Sequence, residues 1–341
     1  MVIPDWSRAH GAPVCRALIR SKPEDFIVDE YIGVEPDGDG EHDLLQIEKI
    51  GANTAWVARQ LARYAGVANV DVGFAGLKDR NAVTRQTFSV RRPTGQGTDW
   101  SSFAAEGVEI VQIARHSRKI RRGTHQYNKF EIRLRGTEIP ENHDALAGRI
   151  DAIARDGVPN YFGEQRFGRN GANIELAKSV LAGKRVKKEQ RSIAISAARS
   201  LLFNAILDAR VRSGTWNQIL DGELVNLSGT GSVFAAETVT AELRRRCSDQ
   251  DIHPTASLWG DGAPGSTGQV ALVEQEVASS FDELTSGLVK ARIDAGHRPL
   301  RLLASDLQYE VDSGTLVLRF SLTKGAFATA LLRELVQTGF E

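Results

Sequence analysis

Hydrophobic and polar positions alternate with period two in several short stretches of this chain, the spacing of half-buried strands. Residues 25–31 (DFIVDEY) and 43–48 (DLLQIE) read as strands, parted by the turn-rich EPDGDGEH. Residues 87–90 are strand-like. Residues 130–135 (FEIRLR) put Phe130, Ile132 and Leu134 on one face, and Leu316, Leu318, Phe320 and Leu322 repeat the pattern near the end. Elsewhere the period is helical. Asn53 is a suitable N-cap for a helix over about 54–65, with Trp56, Val57, Leu61 and Tyr64 in step. Pro140 opens a second helix carrying Leu146, Ile150 and Ile153, which Gly157 and Pro159 end. Residues 192–212 carry Ile195, Leu201, Leu202, Ile206 and Leu207, and Gly-rich loops follow at 228–232 and 260–268. Lys324-Gly325 leads into a last helix striped by Phe327, Leu331, Leu332, Leu335 and Val336. The pattern is therefore a β-rich first part, a helical middle and a closing strand and helix. That terminal strand needs a partner, and the available sheet is the N-terminal one, so the middle reads as an insertion.

Length adds a soft expectation of two domains in 341 residues, and 41% hydrophobic residues suffice for buried cores. No apolar run approaches the roughly 20 residues of a membrane span, and the N-terminus lacks a secretory pattern. Cys15 and Cys247 stand apart without metal-ligand spacing, which suits inert thiols in a reducing, cytoplasmic setting.

Charge sums to zero, from 43 basic and 43 acidic residues, but it is segregated. Residues 24–48 hold ten acids. Residues 115–129 hold Arg115, Arg118, Lys119, Arg121, Arg122 and Lys129 with no acid, and Lys184, Arg185, Lys187, Lys188 and Arg191 form a second basic run. Separated charge can offer a basic face to RNA, whereas a single run is as readily a solvated loop.

Familiar chemistries are absent. There is no phosphate-binding GxxxxGK[ST] loop, no GxGxxG opening a helix after a strand, no HExxH and no GxSxG, and the seven histidines have no ligand spacing. Against that background GFAGLKDRNAVTRQTFSV (73–90) stands out. Asp79 sits between Lys78 and Arg80, and cations favour the ionised form a carboxylate nucleophile or base requires. Alone, it equally reads as a turn residue. Phe130 equally reads as core. In PNYFGEQRFGRNG (159–171), Asn160, Tyr161, Phe162 and Phe167 among Gln165 and Arg166 suit base stacking and base-edge hydrogen bonding, or a packed turn.

Taken together, GFAGLKDRNAVTRQ and PNYFGEQRFG resemble the tRNA pseudouridine synthase D (TruD) family. Further matches are IRSKPEDFIVDE (19–30), GEHDLLQIEKIGANT (40–54), RKIRRGTHQYNKFEIRLR (118–135), SAARSLLFN (196–204) and GAFATALLREL (325–335). Thr323 and Ala326 depart from the Pro and Ser common there. The resemblance implies an α/β (α+β) fold: a pseudouridine synthase catalytic domain on a mixed, largely antiparallel sheet, from 1–152 and 300–341, with a mostly helical TruD domain inserted at 153–299. It implies conversion of uridine to pseudouridine without cofactor or metal, at uridine 13 in the D arm of tRNA-Glu, by a monomer. It makes Asp79 the catalytic aspartate, attacking C1′ or acting first as a base. Arg20 becomes its charge partner, Phe130 an aromatic wall with Asn128 beside it, Phe26 a second aromatic and Gly325 a pocket-closing position. Lys78, Arg80, Arg118, Lys119, Arg121, Arg122 and Arg166 become RNA contacts, in a cleft between the domains. The alternatives are a non-catalytic tRNA-binding or RNA-chaperone protein on the same scaffold, and a metal-dependent phosphoesterase built on the acids of 24–48, which alternate as solvated groups do.

Overall fold

The structure is a computed structural model that describes residues 3–92, 98–262 and 265–339. The chain opens with β1 (Cys15–Ile19), β2 (Phe26–Tyr31), β3 (His42–Ile50), α1 (Thr54–Ala65), β4 (Val72–Phe74), β5 (Val83–Arg91), β6 (Val108–His116) and β7 (Tyr127–Arg135). Next come α2 (His143–Asp156), β8 (Val158–Pro159), α3 (Ala172–Leu181), α4 (Lys188–Arg212), β9 (Glu223–Leu227), β10 (Val233–Ala236) and α5 (Ala241–Ser248). Then follow β11 (Ile252–Leu258), α6 (Gly268–Ser279), α7 (Asp282–Lys290), β12 (Gly296–Pro299) and β13 (Arg301–Leu302). The chain closes with β14 (Ser305–Asp312), β15 (Thr315–Thr323), α8 (Ala328–Leu335) and β16 (Val336–Gly339).

Two compact units emerge. One comprises Val14–Ala147, Ala304–Gly325 and the chain from Val336 on; the other comprises the chain up to Pro13, Gly148–Leu303 and Ala326–Leu335. These divisions fall within a few residues of 152/153 and 299/300, but they also group the N-terminal residues and α8 with the helical unit.

The first unit is built on one ten-stranded sheet, ordered β14-β15-β7-β2-β5-β3-β6, with β1, β4 and β16 at its margins. It is mixed and largely antiparallel, with β2–β5 and β1–β16 as the parallel pairs. The alternating terminal strand finds its partner as expected. β15 pairs with β7 over nine residues, setting Phe320 opposite Phe130 and Leu322 opposite Asn128. On its other side β7 meets β2, with Val28 opposite Phe130 and Glu30 opposite Asn128. Side chains on one face recur every second residue, so Asn128, Phe130, Ile132 and Leu134 are all buried together. Helix α1 buries Val57, Leu61 and Ala62 against Leu45, Ile47, Phe88 and Val90. Its predicted Tyr64 instead lies at the surface, stacked on Trp100.

The second unit is less helical than its sequence pattern suggests. A four-stranded sheet, β10-β9-β11-β12, and the β8–β13 pair accompany its helices. Helix α2 starts at His143 rather than Pro140. Helix α4 corrects one expectation: by length and composition it could cross a membrane. It is mostly buried, however, with Ala194, Ala197, Ala198, Leu201, Leu202, Phe203 and Ile206 in the unit's core. Of the Gly-rich loop 260–268, residues 263–264 lie outside the described residues.

Candidate functional site

The loop between β4 and β5 is polar, so its main chain must find partners outside a regular ladder. It finds them on the connection from β3 to α1. The Gly51 N–H donates to the Arg80 carbonyl at 3.2 Å, and Arg80 Nε returns a bond to the Gly51 carbonyl at 2.8 Å. The Lys78 N–H donates to Thr54 Oγ1 at 2.9 Å. Thr54 in turn donates to Gln86, whose amide donates to the Gly76 carbonyl. Lys49 completes the tie. Its side chain is fully buried, and Nζ donates to the carbonyls of Ala52 at 2.8 Å and Asp79 at 2.9 Å. Burial pushes the Lys49 amine down to about 8, with the nearby Asp79 charge pulling the other way.

This anchorage leaves the Asp79 carboxylate outward, its side chain 37% exposed. Arg20 reaches Oδ2 at 2.9 Å, and the Asn81 N–H donates to Oδ1 at 3.1 Å. Arg20 follows β1 with φ of +61°, a left-handed conformation that side chains other than glycine's seldom adopt. Its guanidinium lies 4.1 Å from the centre of the Phe26 ring. Phe26 meets Phe130 edge to face at 6.1 Å, and Phe130 stacks on Phe320 at 5.3 Å. Arg20, Phe26, Asp79 and Phe130 are thus joined by contacts, although they lie up to 110 positions apart in sequence. Phe26, under the Arg20 guanidinium, and Phe130, behind Phe26, are both buried rings.

Lys78 departs from its expected place on the RNA face. It turns inward, its side chain 7% exposed, and its ammonium sits 2.5 Å from Glu30 Oε2. It also donates to Asn128 Oδ1 at 2.7 Å. Burial pushes the Glu30 carboxyl up, while Lys78 and Arg122 draw it back. The physical reason is register. Glu30 stands opposite Asn128 on the buried face, so a cation must come to it.

Arg80, Arg118, Lys119 and Arg121 are exposed as expected. Lys119 Nζ also donates to the Val70 carbonyl, and Arg122 lies 3.8 Å over the Phe74 ring. Gly325 lies two residues beyond β15 at φ +80°, a backbone glycine accepts freely. Arg166, in the second unit, donates to Ser196 Oγ and lies near the Phe162 and Phe327 rings. Around it the base-stacking reading of residues 159–171 gives way to a packed turn. Tyr161, Phe162 and Phe167 belong to the hydrophobic core, and Asn160 is buried.

Of the acids of 24–48, Glu24, Glu35, Asp37, Asp39 and Glu41 are exposed, as solvated groups are, whereas those on or next to the strands are drawn into ion pairs. Asp25 is gripped by Arg135 at 2.6 Å, Arg85 bridges Asp29 and Glu48, and Asp43 pairs with Arg92 and accepts from Trp100 Nε1. These strand acids thus face cations across the sheet, with Arg85 shared between two of them. The parts that Lys49, Glu30 and Phe320 play around the site escaped the sequence reading. Lys49 directly follows the strand read over 43–48, but no local pattern shows that its amine reaches a loop thirty residues on.

A family model described as tRNA pseudouridine synthase D (TruD) matches residues 8–185 and 177–335. A tRNA pseudouridine synthase D of Aeromonas hydrophila is 45% identical over 329 residues, covering 96% of this chain and 93% of its own. One from Methylococcus capsulatus is 43% identical over 336 residues, covering 98% and 94%. Among solved structures, a putative TruD from Methanosarcina mazei aligns over 98% of both chains with a TM-score of 0.77 at 21% identity, a likeness of fold.

Proposed function

The chain belongs to the tRNA pseudouridine synthase D family and is a tRNA pseudouridine synthase, and we propose that Asp79 is its reacting carboxylate. The observation that carries this reading is the Arg20–Asp79 ion pair at 2.9 Å, held on a loop whose main chain is anchored while its carboxylate stays open. Isomerisation breaks the N1–C1′ bond of uridine and joins C5 to C1′. The hydrogen on C5 leaves to solvent and N1 gains one, so no atom is added overall. A carboxylate serves by bonding C1′ as uracil departs, or by taking the C2′ proton. Both routes need an anion that reaches the sugar and keeps its direction. Arg20 supplies direction, since a guanidinium fixes a carboxylate geometrically as well as by charge. Phe130 gives the pocket for the extruded uracil an apolar side, and Asn128 a polar group beside it.

The family likeness further supports uridine 13 in the D arm of tRNA-Glu as the target, a monomer as the working unit and the cytoplasm as its place. The exposed cations Arg80, Arg118, Lys119 and Arg121 suit the phosphate backbone, which positions RNA without reading its sequence. Carbodiimide primer-extension mapping of tRNA tests the target. A new stop at position 13 of tRNA-Glu after treatment with the protein supports it; a stop elsewhere, or none, contradicts it.

A further inference from the structure

Asn128 carries an amide, a group that can offer a base either an acceptor or two donors, depending on which way it faces. In this protein the choice is made from behind. The Lys78 ammonium lies 2.7 Å from Asn128 Oδ1, and an ammonium has no lone pair to accept a bond, so only the amide oxygen can face it. Lys78 cannot swing away, because Glu30 holds it at 2.5 Å with a carboxylate that is itself fully buried. Lys78 is the residue next to Asp79, and Asn128 shares a sheet face with Phe130 two residues on. Among the described residues the Asn128 amide nitrogen donates to no protein atom, and it is not among the buried polar atoms sealed from solvent.

We propose that the Glu30–Lys78 pair fixes Asn128 as a donor-only group and so makes it the residue that distinguishes uracil from cytosine at the reacting position. The proposal rests on the pseudouridine synthase reading of this site. The two pyrimidines have the same size and differ at C4, where uracil carries a carbonyl acceptor and cytosine an amino donor. A donor-only amide satisfies O4 of uracil and confronts the N4 amino group of cytosine with a second donor. A polar group left unpaired in a closed site costs enough to change affinity roughly tenfold or more. Asn128 touches the base in this account, whereas Lys78 and Glu30 are positioning residues that act through it.

The test measures binding of the full chain to two tRNA transcripts that differ only by uridine or cytidine at the modified position, at one fixed salt concentration. The wild type is expected to favour the uridine transcript about tenfold or more. Asn128→Asp keeps one carboxylate oxygen on Lys78 and turns the other, an acceptor, to the base, so the preference should invert. The double variant Lys78→Met, Glu30→Gln removes the fixing charge without stranding a buried carboxylate, and its uridine-to-cytidine ratio should fall toward one. Thermal melting checks that each variant folds. If Asn128→Asp does not, Asn128→Ala replaces it, with loss of discrimination expected. A variant with Asp or Ala at position 128 that keeps the wild-type ratio overturns the proposal. Tritium release from the uridine transcript by the wild type tests the underlying activity separately, so the two failures are distinguishable.

Discussion

Arg20 holds its backbone at φ +61°, where a side chain crowds its own main chain at a cost of order 1–3 kcal/mol. The surroundings outweigh that cost by placing the guanidinium between the Phe26 ring and the Asp79 carboxylate. The ion pair is partly exposed, and its worth is geometric: such pairs add little stability. Lys49 is the opposite case, a fully buried cation spent on two carbonyls, one of them that of Asp79. Its amine is pushed from the ordinary 10.5 down to about 8. The sign of the consequence is definite. Between about pH 8 and 10.5 the unfolded chain binds a proton at Lys49 that the folded chain does not, so this residue's contribution to stability rises with pH. Relative to Lys49→Met, the wild type should gain on the order of 3 kcal/mol across that window, read by urea unfolding at several pH values. A difference that is flat with pH contradicts the burial of this charge. The pairing of Arg20 with Asp79 was expected from the family resemblance, but the part played by Lys49 was not legible in the sequence. The loop and the strand were visible, but the reach of Lys49 and the inward turn of Lys78 depend on which strands become neighbours.

Strand β15 is the element on which the sequence was most informative. Its alternation of Leu316, Leu318, Phe320 and Leu322 predicted both the strand and its buried face, and the pairing with β7 followed from the need for a partner. What alternation could not show is register, because a shift of one residue turns the whole strand over. The observed register seats Phe320 under Phe130. Phe320→Ala should therefore destabilise the unit by about 3–5 kcal/mol in denaturant unfolding, and should lower the rate of pseudouridine formation per folded molecule. Phe320→Leu should cost less on both counts. An unchanged midpoint for Phe320→Ala would show that β15 does not buttress the site. The reverse lesson comes from residues 159–171, where aromatics among polar residues resembled a stacking surface. Side-chain type alone does not distinguish a ring aimed at solvent from one aimed at a core, and Phe167 and Tyr161 took the core.

Over the whole molecule, zero net charge conceals a division of labour. The acids of 24–48 are largely matched by cations of the same unit, such as Arg135, Arg85, Lys78 and Arg92. Among the described residues Arg118 and Arg121 have no ion-pair partner, and both are exposed. Local pairing of the acids thus leaves these cations available to phosphate despite the neutral sum. Replacing both with Ala should weaken tRNA binding and reduce the slope of log affinity against log salt by about one per residue, with stability changed by less than about 0.5 kcal/mol. Titration at several salt concentrations checks it, and an unaltered slope removes this segment from the interface.

The account depends most on Asp79, the open carboxylate on an anchored loop. The direct measurement is release of tritium from C5 of uridine-labelled tRNA by the wild type and by Asp79→Asn, which keeps the size of the side chain and removes its charge. Release by the wild type and a fall to background in the variant, with tRNA binding and thermal stability retained, is the predicted result. Undiminished release by Asp79→Asn would contradict the account.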